Sequence, residues 1–454
     1  MTIHSLVALY GPRDPGPEVI LAPDSQRTDI SFIEGEHRLS YGLGKAISTL
    51  RGWGISPTPA ALDLSILAGL VTAADTRISR KTESQDSWTR EIDLYVPVHN
   101  IDIWNSSKEL IEKLLKFLSG DIWRLYFRLV PFTHPSLEDI QIGLDINQYD
   151  SVSLFSGGLD SFVGALDILS EGKKSIFVSH YADQSTSKQG QCFDIISENF
   201  QLSENSHLRV HLSFDKNDVP GLSSENTLRA RSFLFFSLAV VVASGLPNCQ
   251  KIYVPENGLI SLNVPLDPLR VGAWSTRTTH PFYMALWDSL LQKLEINIRL
   301  ENPYRFKTKG EMLLECKAPQ VLRSHVNKTI SCSSVSKARF HGLTPGQCGY
   351  CVPCIIRRAS IKKALGGDST TYVMLPDLRS HTLNSNKAEG ENIRSFQIMI
   401  DRLTTNRELA KILVYKTGPL NLYSEEDITS YAEVFAKGIE EVSEFLEGVE
   451  VKPL

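Results

Sequence analysis

Val152-Ser153-Leu154-Phe155-Ser156-Gly157-Gly158-Leu159-Asp160-Ser161 is the stretch on which the fold turns. Small and apolar residues climb a buried strand, and two glycines break it at its end. Asp160 and Ser161 then open an amphipathic helix carrying Phe162, Val163, Leu166 and Leu169 on one face. A glycine turn between a strand and a helix aims backbone N–H groups, reinforced by the helix dipole, at one spot, which makes an anion cradle. The Walker pattern GxxxxGK[ST] is absent from the chain, so the cradle is not an ordinary NTPase loop.

The same alternation continues downstream. Strands are expected at 150–156, 174–182, 207–214 and 251–256, with helices near 160–170, 186–200 and 224–245. Three of those strands are short apolar runs, the pattern of a parallel sheet covered on both faces. Ligands of such sheets sit beyond the carboxyl ends of the strands, near the switch point, and the glycine loop lies at one such end. Residues 1–130 read as a small α/β module. Glu91–Val98 alternates as a strand, with Pro97 placing it at an edge or an end. Ser106-x-x-Glu109 is a capping box ahead of Leu110, Ile111, Leu114, Leu115 and Leu118, a helix stopped by Gly120. Ile122–Leu129 alternates as a half-buried strand. Residues 131–149 read as a linker, 150–365 as the main α/β domain and 366–454 as a mostly helical extension. Thr382–Asn392 is polar and loop-like, and Ser424 starts a last amphipathic helix through Phe445.

Composition fits this division. At 454 residues, 42% hydrophobic and 22% charged, the chain holds enough material for two or three globular domains. The net charge of −5 is uneven, because residues 421–454 carry nine acids against two lysines and leave the remainder near +2. That balance argues against a broad nucleic-acid-binding surface. The start lacks a basic, apolar leader, and Phe233–Leu246 is too short to span a bilayer, so a cytoplasmic location is expected.

Seven cysteines in such a chain suggest metal before disulfides. Cys348-Gly-Tyr-Cys351-Val-Pro-Cys354 spaces three thiols by two residues each, and Cys332 lies 16 positions upstream. Four thiolates close a tetrahedral zinc site, a structural arrangement with no open position. An iron–sulfur cluster is the rival, although the ferredoxin run is not completed, since Arg stands at 358. Cys192, Cys249 and Cys316 are isolated and read as buried small hydrophobes.

Ser156 to Ser161 matches SGGxDS, the pyrophosphate loop of ATP pyrophosphatases, and further motifs sharpen that likeness. In order come Arg231-Ser-Phe-Leu-Phe-Phe-Ser-Leu-Ala239, then Pro303 with Thr308-Lys309-Gly-Glu311. Thr329-Ile-Ser-Cys332 and Cys348…Cys351…Cys354-Ile-Ile-Arg357 complete the series. Together they resemble the QueC family, the 7-cyano-7-deazaguanine synthases, over roughly 150–366. The long flanking segments look like the enlarged QueC-like proteins of antiphage defence operons, the QatC type. Two departures stand out. Ser232 replaces the usual asparagine, and the family's deazapurine-lining stretch has no clean copy, its place being taken by Pro255-Glu256-Asn257-Gly258…Pro265–Arg270.

The resemblance implies a parallel sheet of the adenine-nucleotide alpha hydrolase type. It implies ATP bound by Ser156, Gly157, Gly158, Leu159, Asp160 and Ser161, with Mg²⁺ neutralising the leaving pyrophosphate. Asp160 would hold Mg²⁺ or pin the loop, while Arg231 and Lys309 would stabilise charge on the α-phosphate. Glu256 or Asp267 would pair with the guanine-like edge, and Zn²⁺ would sit on the four cysteines. The implied reaction is adenylation of a 7-deazaguanine carboxylate, then amide formation with an amine. The amine would be the N terminus of a partner protein from the same operon, bound by residues 1–130; ammonia, giving the free nitrile, is the alternative. A tRNA-modifying pyrophosphatase and a non-catalytic binding subunit are the remaining readings, and no membrane partner is implied.

Overall fold

A computed structural model describes the chain except for residues 1, 20, 22, 24, 35–37, 40, 85, 132–144, 182–186, 215–222, 269–276 and 454. Most of the expected linker and the end of the Pro265–Arg270 stretch therefore lie outside the described residues.

The first part contains strands β1 (Ile3–Leu9), β2 (Ser25–Ser31), β3 (Ile33–Glu34) and β4 (Arg38–Leu39). Helices α1 (Leu43–Gly52), α2 (Pro59–Arg77) and α3 (Arg80–Glu83) follow, then β5 (Glu91–Val98), α4 (Ile101–Ser119) and β6 (Ile122–Leu129). Four of the strands form a parallel sheet in the order β2-β1-β5-β6. β5 is internal, and Pro97 falls past Tyr95, the last residue that pairs with β1, so its missing N–H interrupts nothing there. The helix α4 begins five residues before the expected capping box. Asn100 caps it by accepting from Ile103 N, because Trp104 already belongs to the buried face and extends the apolar period upstream. Ser106 instead donates to the Ile103 carbonyl within the helix. Gly120, at φ 76°, ends it as expected.

The second part runs β7 (Ser151–Leu154), α5 (Leu159–Ser170), β8 (Ser175–His180), α6 (Ser187–Phe200), β9 (His207–Val210), α7 (Arg231–Ser244) and β10 (Lys251–Tyr253). After it come α8 (Gly258–Leu262), α9 (Pro281–Lys293), β11 (Arg299–Glu301), α10 (Lys309–Leu314), α11 (Pro319–His325) and α12 (Val352–Leu365). Its sheet is parallel throughout, in the order β11-β10-β7-β8-β9. The chain therefore leaves β7 toward one edge, through β8 and β9, and returns to its other side at β10. The loops after β7 and β10 meet at that reversal, the place where open parallel sheets hold ligands.

The last part holds β12 (Leu383–Asn384), α13 (Ala388–Thr405), α14 (Leu409–Leu413), α15 (Glu425–Leu446) and β13 (Val451–Lys452). The polar 382–392 stretch is thus not all loop. β12 pairs with β13 from the end of the chain, a partner too distant for local pattern to show, and α13 starts at Ala388. Ser424 caps α15 by accepting from Asp427 N, as its sequence suggests.

α2 and α7 pack between the two sheets and share one apolar core with both. α2 is the one helix among the described residues that is long and apolar enough to cross a membrane, and 72% of that window is buried inside the protein. A second core joins α8, the cysteine segment, α12, α13 and α15, so residues beyond 366 pack directly on the cysteine helix. Gly258 and Gly438 permit this approach. A Cβ on Gly258 would lie 2.9 Å from Val434 Cγ1, and one on Gly438 2.7 Å from Leu259 Cδ2.

Candidate functional site

The loop after β7 has the shape its glycines allow. Gly157 adopts φ 75°, and a Cβ there would stand 2.7 Å from Gln189 Cα. Gly158 is the N-cap of α5 and no side chain caps the helix there, and Leu159, Asp160 and Ser161 of its first turn line a cavity. The two serine hydroxyls close the loop on itself. Ser161 Oγ donates to the Gly158 carbonyl at 3.0 Å and lies 3.1 Å from Ser156 Oγ.

Asp160, in the first turn of α5, is nearly fully buried and gathers two other segments. One oxygen forms a short ion pair with Lys309 Nζ. The other accepts from Asn257 N at 3.0 Å and Asn257 Nδ2 at 2.6 Å. Glu256, on the same β10 loop, is hydrogen-bonded to Asp160. Burial, then the Asp160 charge, push the Glu256 carboxyl well above its usual range, so it is the protonated partner and donates. Burial opposes the charge on Asp160, but the Lys309 ammonium and the hydrogen bonds from Glu256, Lys309 and Asn257 outweigh it. Its carboxyl sits below the usual range. The cluster therefore holds one carboxylate, one neutral acid and one ammonium. These contacts tie the glycine loop to the β10 loop and to α10.

Two cavities flank the loop and share Ser156, Ile330 and Cys332. The larger, about 540 Å³, is lined by Gly158, Leu159, Asp160, Ser161, Glu256 and Lys309 on one side. Ser331, Ser333, Ser334, Lys337 and Tyr350 face them from the cysteine segment. The smaller, about 250 Å³, is lined by Gly157, His180, Lys188, Gln189, Phe235 and Arg231. Arg231 begins α7 with its guanidinium 4.9 Å from the centre of the Phe235 ring. The expected site residues thus divide: Lys309 and Glu256 join the loop in one cavity, and Arg231 stands across it in the other. Asp267 lines neither. It is buried under α13, where its carboxylate accepts from Ser395 Oγ.

The four expected cysteines converge. Their Sγ atoms all lie within 4.8 Å of one another, with Cys348–Cys354 at 3.9 Å and Cys351–Cys332 at 3.8 Å. A single tetrahedral zinc with bonds of about 2.3 Å requires sulfurs about 3.8 Å apart, so the set fits one such ion. Backbone N–H groups of Ser334, Cys348 and Cys351 point at these sulfurs at 3.3 to 3.4 Å, the kind of support that steadies metal-bound thiolates. Cys192, Cys249 and Cys316 are buried elsewhere, and burial pushes each thiol up to about 12.

Thr329, Ile330 and Arg357 of the quoted motif series frame the site, while Asp75, Arg90 and Asp121 behind it carry no local signal in the sequence. Ile330 N donates to the Gly157 carbonyl at 3.1 Å, so the approach to Cys332 forms a wall of the loop. Arg357, fully buried one helical turn beyond Cys354, holds that wall through Thr329 Oγ1 at 2.7 Å and the Val326 carbonyl at 2.6 Å. Asp75 of α2 accepts from Ala230 N at 2.8 Å, beside Arg231. Asp75 is itself held by Arg90 at 3.0 Å, and Arg90 pairs with Asp121. No protein family model matches the chain, and no curated protein matches it.

Proposed function

We propose that this chain is an AMP-forming, ATP-dependent C–N ligase. It adenylates the carboxylate of a 7-deazaguanine and passes the acyl group to an amine, the N terminus of a partner protein. The observation that carries the reading is the meeting of the uncapped α5 N-terminus with Asp160, Lys309 and Glu256 at the sheet's reversal, inside a cavity of about 540 Å³.

In this reading the β- and γ-phosphates of ATP occupy the first-turn N–H groups of α5, where backbone dipoles favour anions. Asp160 does not face the phosphates as a bare anion, since both its oxygens are engaged. It holds the Lys309 ammonium at the cavity wall, where it offsets the charge that grows on the α-phosphate as the carboxylate attacks. Arg231 approaches from the second cavity. The amine then attacks the acyl carbon of the adenylate, the amide forms and AMP leaves with the acyl C–O bond broken; much of the rate gain comes from holding both reactants together. Glu256, with its O–H given to Asp160, offers the substrate acceptor lone pairs alone. Asp160 and Glu256 are the only acidic side chains among the described lining residues of the larger cavity, and both are engaged, so the lining does not offer Mg²⁺ a vacant carboxylate. The four thiolates suit a structural zinc that holds the Ile330 wall.

The test is to co-express the chain with its operon neighbours and take intact masses of each, with Asp160→Ala as control. A base-sized mass gain at one neighbour's N terminus, lost in the variant, is the expected result. Free nitrile formed from ammonia without any partner would instead establish the synthase reading. No AMP formation from ATP and the carboxylate under either condition would overturn both.

A further inference from the structure

We propose that Glu441, on the last helix of the chain, is a positioning residue for Lys309, which makes α15 a working part of the loop site. The inference rests on the ligase reading only for its kinetic consequence.

Glu441 is 3% exposed. Its carboxylate accepts from Thr308 Oγ1 and, at 3.2 Å, from Gly310 N, the residues on either side of Lys309. Thr308 is the N-cap of α10 and forms a capping box with Glu311. The first turn of α10 is thus gripped twice, once from within and once by a helix 133 positions away in sequence. Gly310 makes the approach feasible, because a Cβ there would fall 2.5 Å from Glu441 Oε1. Lys363 of α12 lies 3.2 Å from the same carboxylate, at the exposed side of the contact. Lys437 of α15 also reaches Glu311 at 3.3 Å.

Lys309 has its backbone in this grip and its ammonium on Asp160. It is 4% exposed. A buried helix start leaves N–H and hydroxyl groups that need acceptors, and an anion near that end is favoured by the dipole as well. Removing the carboxylate leaves Thr308 Oγ1 and Gly310 N without that acceptor in a dry setting, so the turn shifts or admits water. Either response moves the Lys309 ammonium away from Asp160.

The experiment reads Lys309 directly. Full-length wild type, Glu441→Ala, Glu441→Gln and Lys363→Met are exposed to a water-soluble amine-acetylating reagent, and Lys309 labelling is followed by peptide mass spectrometry. Wild type and Lys363→Met are expected to stay protected. Glu441→Ala should label at least tenfold faster, with Glu441→Gln in between, because its amide oxygen still accepts from one donor. Amide exchange across β7 and β8 should remain at wild-type rates, which separates a local shift from general unfolding. In the same samples, AMP formation should lose kcat tenfold or more with KM for ATP within threefold. Unchanged Lys309 labelling in both Glu441 variants would overturn the positioning role. Wild type that forms no AMP would defeat the ligase reading while the labelling result still decides the role of Glu441.

Discussion

Ile330 and Gly157 meet backbone to backbone, the N–H of one donating to the carbonyl of the other at 3.1 Å. Two residues beyond Ile330 stands Cys332, and Arg357 braces the same stretch from α12. The cysteine site and the glycine loop are therefore one mechanical unit.

Loss of the proposed zinc should loosen the loop. Cys354→Ser is expected to release one equivalent of bound zinc, measured by elemental analysis. Amide exchange at Ile330 and across 156–158 should rise at least tenfold, while α2 and α7 stay protected. Zinc loss with unaltered exchange at Ile330 would separate the two elements.

Gly157→Ala places a Cβ where φ is positive and Gln189 backbone is 2.7 Å away. Strain of that kind, with the local shift it forces, costs about 1–3 kcal/mol. Chemical denaturation should show the loss, and nucleotide titration should show affinity reduced tenfold or more, since the loop must move.

Lys309→Met strands a buried charge on Asp160. Breaking a buried pair by removing one partner costs about 3–5 kcal/mol. The double variant Asp160→Asn with Lys309→Met should recover most of that stability and none of the activity. A double variant no more stable than Lys309→Met alone would mean that the pair is not coupled.

Glu256 and Asp160 should give opposite pH signatures. Glu256 has a carboxyl raised above its unfolded value near 4.5, so its contribution is full below that pH and is lost as pH rises through the folded value. Asp160 is lowered from 3.8, so its contribution is present above that value and is lost as pH falls. Stability of the wild type should therefore decline on the alkaline side with a slope of up to about 1.4 kcal/mol per pH unit from this group. Glu256→Gln fixes the neutral form and should flatten that slope in urea midpoints taken from pH 5 to 9. An identical slope in the variant would assign the titration to another group.

What was legible in advance was local. The strand, glycine turn and helix around Ser156–Ser161 need only a few neighbouring residues to specify them, and the Cys348–Cys354 spacing confines three thiols to one turn and its approach. Periodicity also placed the start of α15 and the end of α7, although α7 begins at Arg231 and not near 224. It missed the start of α4, because Asn100 is a weaker-looking signal than the serine–glutamate box behind it. It missed β12 because that two-residue strand exists only through β13 at the far end of the chain.

By itself, the sequence determined a parallel α/β architecture, a glycine turn between a strand and a helix and four cysteines able to meet. Only the tertiary structure decided which groups meet that loop. Lys309 reaches Asp160 across 149 positions because the chain reverses its course at β7 and β10. The same reversal brings Glu256 and Asn257 to the loop and leaves Asp267 under α13. Burial then sets the protonation of the Asp160–Glu256 pair, which depends on what surrounds the two carboxyls and not on their spacing along the chain.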